Sequence, residues 1–249
     1  MNRMQRIITR KPEIKEIADE LKVIYQSGNN EKFLEKLEYN VLKNKIKFPL
    51  LEFFTKDLFQ SIPYNEQLIL TNKIIDKDYI GSYVIAGVVL QTRVIKNLNE
   101  SFTKAAEYLI KGDKWYSCDI ISERVFGFAL LLDFDRSFKL LKEQLKHEND
   151  WVKRGVGTAI HLAVKWGLEK EHIEDLLKLI IAQSMSKNVN VQKGFGWALK
   201  TISKFHPDVV SKYYSVIKDN PEVSSWYKRK MEMGLKYAEK KWVNNARVY

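Results

Sequence analysis

Apolar residues along the first part of the chain recur at helical spacing. Pro12 opens a pattern that puts Ile14, Ile17, Leu21 and Ile24 on one face and stops at Gly28. Phe33, Leu34, Leu37 and Leu42 mark a second helix, and Pro49 starts a third with Leu50, Phe53, Phe54, Leu58 and Phe59. A weaker pattern covers 64–75. From Ile80 to Ile95 nearly every position is apolar; the run is too long for a strand and predicts a central, buried helix. Helical patterns then continue to the end, broken near 97–101, 111–114, 133–135, 147–150, 167–170, 185–189 and 206. The pattern predicts an all-α protein of roughly a dozen helices with no run of strands.

The breaks are regular, and the helices between them repeat. Val152-Lys153-Arg154-Gly155-Val156-Gly157-Thr158-Ala159-Ile160 aligns with Val191-Gln192-Lys193-Gly194-Phe195-Gly196-Trp197-Ala198-Leu199 at an offset of 191 − 152 = 39. Arg124 to Leu130 is a third copy, and Tyr83 to Leu90, with Ala86 and Gly87, a looser fourth. The shared core is basic-x-x-Gly-x-Ala-apolar. A glycine inside a helix costs about 1 kcal/mol against alanine, so a repeated one needs a reason. Close approach of a neighbouring helix supplies it. Helix pairs repeating at this interval predict a HEAT-like solenoid with a concave face, suited to a cylinder such as duplex DNA. Single repeats cannot bury their apolar faces alone, so residues 1–249 are expected to form one cooperative domain.

Charge adds to this. Lys and Arg number 42 against 31 Asp and Glu, a net +11. Such an excess suits a polyanion partner, with a well-solvated surface as the plainer alternative. The single cysteine, Cys118, excludes an internal disulfide and a Cys-rich metal site. Met1 to Lys15 lacks the apolar core of a secretory signal, and no run is long enough to span a membrane. A soluble, cytoplasmic monomer is expected.

The segment Lys111-Gly112-Asp113-Lys114-Trp115-Tyr116-Ser117-Cys118-Asp119 carries the sharpest candidate chemistry. On a helix, Trp115 and Asp119 share a face about 6 Å apart, and the preceding glycine and aspartate suit a helix start. An electron-rich indole beside a fixed negative charge fits a ligand that becomes cationic as it reacts. The alternative is a core tryptophan beside a solvated aspartate. Arg124, Arg154 and Lys193 occupy one repeat position, so stacked helices are expected to present them as a basic ladder to phosphates, with Lys153 alongside. Trp197 takes the position held by Thr158 and Phe128 in the sister repeats, which suggests a site-specific use; core filling is the alternative. The four histidines, His147, His161, His172 and His206, have no metal-ligand spacing, and Glu169, Glu171, Glu174 and Asp175 read as an acidic first turn. No phosphate loop and no Ser/His/Asp order stands out, so neither metal nor cofactor is expected. The tail from Trp226 to Tyr249 carries Lys228, Arg229, Lys230, Lys236, Lys240, Lys241 and Arg247. It reads as a solvated final helix, with a nucleic-acid-binding arm as the sharper option.

From about Lys111 to Tyr214 the chain resembles the bacterial AlkD-like DNA alkylation repair glycosylases, which are HEAT-like solenoids. Lys114 to Asp119 is similar to that family's stretch bearing a catalytic tryptophan and aspartate. Asn149-Asp150-Trp151-Val152-Lys153-Arg154 resembles its Trp-x-x-Arg, whose arginine contacts DNA. Gln192 to Leu199, followed by His206-Pro207-Asp208-Val209-Val210, resembles its most recognisable segment, whose tryptophan is a second wall of the site. Residues 1–100 match weakly: Ile46-Lys47-Phe48-Pro49 resembles an early Ile-x-x-Pro, but the arginine that commonly follows is missing. Tyr116 and Cys118 also depart from the pattern.

The resemblance implies hydrolysis of the N-glycosidic bond of cationic alkylated purines, N3-alkyladenine and N7-alkylguanine, in duplex DNA. Asp119 would stabilise the sugar cation, Trp115 and Trp197 would flank it, and Arg154 would hold the local phosphate. Two other readings stand beside it: a non-catalytic module for bent or branched DNA, and a protein-binding scaffold.

Overall fold

The computed structural model describes residues 5–246, and the side chains of residues 5–239. Lys240, Lys241 and Arg247 of the basic tail therefore lie outside the described side chains. The chain divides into two compact units, Met1–Asn97 and Leu98–Tyr249. Both are built from helices, as the hydrophobic spacing predicts. Among the described residues no helix is long and apolar enough to cross a membrane.

The first unit contains α1 (Lys11–Gln26), α2 (Asn30–Leu37), α3 (Phe48–Phe59), α4 (Tyr64–Ile75) and α5 (Ile80–Val94). Pro12 sits in the first turn of α1, and Ile14, Ala18, Leu21 and Ile24 are its buried stripe. Helix α2 runs on into a π-helical turn, Glu38–Leu42. Two short segments, β1 (Ile7–Ile8) and β2 (Lys45–Ile46), pair in parallel, Ile7 opposite Lys45 and Ile8 opposite Ile46. A two-residue ladder leaves no periodicity for sequence reading to find. Helix α5 is the buried element expected: residues 82–90 are all buried, and it packs against α3 and α4.

The second unit contains α6 (Leu98–Gly112), α7 (Trp115–Ser122), α8 (Phe128–Leu132), α9 (Phe134–Gln144), α10 (Asp150–Lys165), α11 (Ile173–Ala182), α12 (Val189–Phe205), α13 (Pro207–Ser211), α14 (Tyr214–Lys218) and α15 (Ser225–Ala246). A π turn, Glu123–Gly127, joins α7 to α8 without a break. The α7–α8 run packs on α10, α10 on α12, and α12 on α15. Helices α6, α9, α11, α13 and α14 form a second layer, each against a neighbour in the first. This is a helical-repeat solenoid. The repeat extends to the caps: Asn149 opens α10 by accepting from the Trp151 N–H, and Asn188 opens α12 by accepting from the N–H groups of Asn190 and Val191. Asp133 caps α9 in the same way. Helix α15 is more than a solvated tail, because Tyr227 and Met231 are fully buried.

The repeated glycines lie where helices touch. A Cβ on Gly157 would stand 2.4 Å from the carbonyl carbon of Gly194 and 2.5 Å from the amide nitrogen of Phe195. One on Gly194 would stand 2.5 Å from the carbonyl oxygen of Arg154, and one on Gly127 3.1 Å from that of Ala159. Helices α10 and α12 thus meet backbone to backbone. Alanine at residue 157 would gain about 1 kcal/mol in helix propensity. It would also have to push two main chains apart, and overpacking of this kind costs about 1–3 kcal/mol or more. Gly157→Ala is therefore expected to lower the denaturant midpoint, with a net loss of up to about 2 kcal/mol. A more stable variant would show that the two backbones have room between them.

Candidate functional site

Helix α7 starts in an unusual way. Gly112 ends α6, and Asp113 turns the chain with φ +44°, a left-handed conformation that aspartate tolerates better than most residues. The Asp113 carboxylate does not cap α7. It accepts the indole N–H of Trp151 at 2.6 Å and so ties the entry of α7 to the first turn of α10. Lys114 is the N-cap and makes no side-chain cap bond. The glycine–aspartate start read from the sequence is thus a link between two helices. A second link is the Cys118 thiol, which donates to the Trp151 carbonyl at 3.2 Å; burial pushes this thiol up to about 12, so it is not poised as a nucleophile.

Trp115 and Asp119 lie one turn apart on α7, and their environments invert the plain alternative. The indole is the exposed partner, at 63% of its full accessibility. The carboxylate is the sheltered one, its side chain only 14% exposed. Asp119 is held from α10: Oδ1 accepts from Arg154 Nε at 3.0 Å and from Thr158 Oγ1 at 3.1 Å, and Oδ2 accepts from Arg154 Nη2 at 2.8 Å. A bidentate guanidinium–carboxylate pair is among the stronger hydrogen-bonded contacts in proteins. The Trp151 ring lies 5.8 Å from the same guanidinium.

Trp197 belongs to the same assembly through α10. Arg154, Thr158 and His161 follow one another at helical spacing on one face of α10, and the indole of Trp197 stacks on His161 with centroids 3.8 Å apart and planes 21° from parallel. The Thr201 hydroxyl donates to the Trp197 carbonyl at 3.1 Å, so its only proton is engaged there. A 2.6 Å contact between Thr201 Oγ1 and His161 Nδ1 ties the imidazole to the same hydroxyl. Burial, then the charges of Lys165 and Lys200, pull His161 down to about 4. The imidazole is neutral near pH 7.

The expected ladder keeps its register but not its exposure. Arg124 is buried, with Nη1 donating to the Ile120 carbonyl at 3.1 Å. Arg154 is only 8% exposed and engaged by Asp119. Of the three, Lys193 alone is exposed. Lys153 is half-buried, 3.9 Å from Asp150.

The reachable cations lie further along. Lys193, Trp197, Lys200 and Lys204 share one face of α12, and Lys165 ends that of α10. On α15, Trp226 donates to the Gln192 carbonyl at 3.2 Å, with Lys230 4.2 Å from its ring centroid. Lys200 and Lys204 lie 5.4 and 5.5 Å from the ring of Tyr237. Burial, followed by Lys200 and Arg229, pulls Lys230 below its ordinary value. Among the described residues none of these lysines pairs with a carboxylate. The acidic stretch before α11 brings ligand atoms of Glu169, Glu171 and His172 within 4.8 Å of one another, but both carboxylates are exposed and the His172 ring stacks on Phe134.

Sequence reading did not single out the parts played by Trp151, Thr158, His161 and Thr201. Thr158 had a visible signal, as the small residue where sister repeats carry rings. His161 had none, because its partner is forty residues away.

The chain belongs to the DNA alkylation repair enzyme family, whose model matches residues 45–241. Comparisons with curated proteins and with solved structures return no significant match.

The neutral imidazole has a consequence for stability. Its folded value, about 4, lies below the 6.5 of the unfolded chain, so the unfolded state takes up the proton first. The contribution is complete above pH 6.5 and is lost as pH falls towards 4, a change of about 3 kcal/mol at 1.36 kcal/mol per unit. Wild type should lose about that much stability relative to His161→Phe between pH 7 and pH 4. Parallel unfolding curves at both pH values would mean that the ring charges freely in the fold.

Proposed function

We propose that the protein is a DNA glycosylase that releases cationic alkylated purines, N3-alkyladenine and N7-alkylguanine, from duplex DNA. The observation that carries this reading is the sheltered, doubly anchored carboxylate of Asp119 one turn from the exposed indole of Trp115. Membership in the DNA alkylation repair enzyme family supports damaged DNA as the substrate. The chemistry follows from the charge of the leaving group. In an N-alkylated purine the ring is cationic. When the C1′–N bond breaks, the electron pair moves to the base, which leaves neutral, and the sugar becomes oxocarbenium-like. Water adds its oxygen to C1′ and gives up a proton to bulk solvent, which restores a neutral sugar. Asp119, already accepting from three donor groups, is arranged to face positive charge rather than to give a proton. Trp115 and Trp197 offer electron-rich faces to the same cation. Arg154, in this reading, holds Asp119 first and reaches a phosphate only secondarily.

The unpaired lysines of α10, α12 and α15 are the phosphate contacts in this reading. Electrostatic binding then weakens linearly in log–log with salt, by about 0.9 per phosphate neutralised. Lys200→Ala should shallow that slope by about one unit while leaving lesion preference unchanged. An unaltered slope would take Lys200 out of the interface.

The decisive experiment is single-turnover excision from duplexes that differ at one nucleotide. N7-methylguanine should be released far faster than hypoxanthine. Asp119→Asn, assayed on its folded fraction, should lose roughly 10²–10³ in rate, the worth of 3–4 kcal/mol of charge stabilisation. Equal rates on the two bases would reveal a general acid and end this mechanism. DNA binding without release would favour a non-catalytic module.

A further inference from the structure

We propose that Thr158 and His161 are positioning residues for this reaction: Thr158 selects which oxygen of Asp119 faces the sugar, and His161 fixes the plane of Trp197. The inference rests on the glycosylase reading above. A carboxylate has two acceptor directions on each oxygen. Both directions of Oδ1 are filled, by Arg154 Nε and the Thr158 hydroxyl. Oδ2 receives only Arg154 Nη2 and keeps one direction open. The open lone pair of Oδ2 is therefore the one that meets the sugar cation or the attacking water. Arg154 alone cannot make this distinction, since its two N–H groups serve the oxygens one each. The hydroxyl of Thr158, fully buried, is what makes them unequal.

The repeat register shows that this choice is specific to α10. Trp197 and Phe128 hold the same position in the sister repeats, and a ring there could not donate to Asp119 as the buried Thr158 hydroxyl does. One turn further along α10, His161 lies stacked against one face of the Trp197 indole. Its Nδ1 is hydrogen-bonded to Thr201, which is itself anchored on the Trp197 main chain, so the ring cannot swing without breaking a buried hydrogen bond. A neutral ring at that place does not compete with the sugar for the π-electrons of the indole, whereas a cation would. Lys165 and Lys200, the charged groups felt by the imidazole from α10 and α12, act against its protonation.

The test separates rate from binding. Duplex carrying one N7-methylguanine is the probe, with the single-turnover rate at saturating protein and the Kd for the same duplex measured in parallel. Thr158→Val keeps the volume and removes the donor. It should slow release about tenfold with Kd within about twofold of wild type, and Thr158→Ser should restore the rate to within about threefold. His161→Leu should slow release by a similar factor, and His161→Phe, which keeps a ring to stack but loses the bond to Thr201, should recover only part of it. Rates are taken per folded molecule, judged by circular dichroism, and Thr158→Ala replaces the valine variant should valine fail to fold. A valine variant as fast as wild type, a serine variant as slow as valine, or a leucine variant as fast as phenylalanine overturns the inference while the glycosylase reading stands. Wild-type protein that releases no methylated base overturns the glycosylase reading and this inference with it.

Discussion

The contact between Arg154 and Asp119 is the constraint around which the second unit is arranged. A carboxylate removed from water needs a partner, and the interior effect of breaking such a pair is several times that of a surface ion pair. Here the partner comes from the neighbouring helix, so the charge of α7 is balanced only while α7 and α10 stay in contact. The Trp151–Asp113 bond and the Cys118–Trp151 bond serve the same contact from the entry of α7. Desolvating a carboxylate opposes folding, yet a folded protein that must present a fixed negative charge to a transient cation has few other ways to hold it still.

The aromatic walls answer to different rules. Trp115 sits at the first turn of α7 with most of its surface in water, which is unfavourable for so large an apolar group unless something covers it. Trp197 is half-buried, with one face already occupied by a neutral imidazole. An exposed wall and a braced wall differ in freedom: the first adjusts to what arrives, while the second defines where it must lie. Charge follows the same division. Arg154 is paired with Asp119 inside the unit, and the lysines beyond it have no carboxylate partner among the described residues.

Much of this was legible in the sequence. Helix spacing, the breaks between helices and the offset of 39 between Val152 and Val191 came from patterns of apolar and small residues, which packing enforces strongly. Trp115, Asp119, Arg154 and Trp197 were visible through residue type and register. The exposure of Arg124 and Arg154 was not, because register tells which residues are equivalent but not whether another helix covers them. The partnership of His161 with Trp197 was hidden for a related reason. It joins two repeats at different turns, so no alignment of one repeat with the next brings the two residues together. The π turn at Glu123–Gly127 carries no compositional mark at all.

The contact between Gly157 and Gly194 sets more than stability. Two helices separated by side chains can drift when those side chains change, whereas two helices in main-chain contact have a spacing fixed by atoms that no substitution elsewhere alters. Asp119 hangs from one of these helices through Arg154 and Thr158, and Trp197 rides on the other. The spacing of the two helices from which carboxylate and indole are held is therefore gauged by the peptide backbone itself.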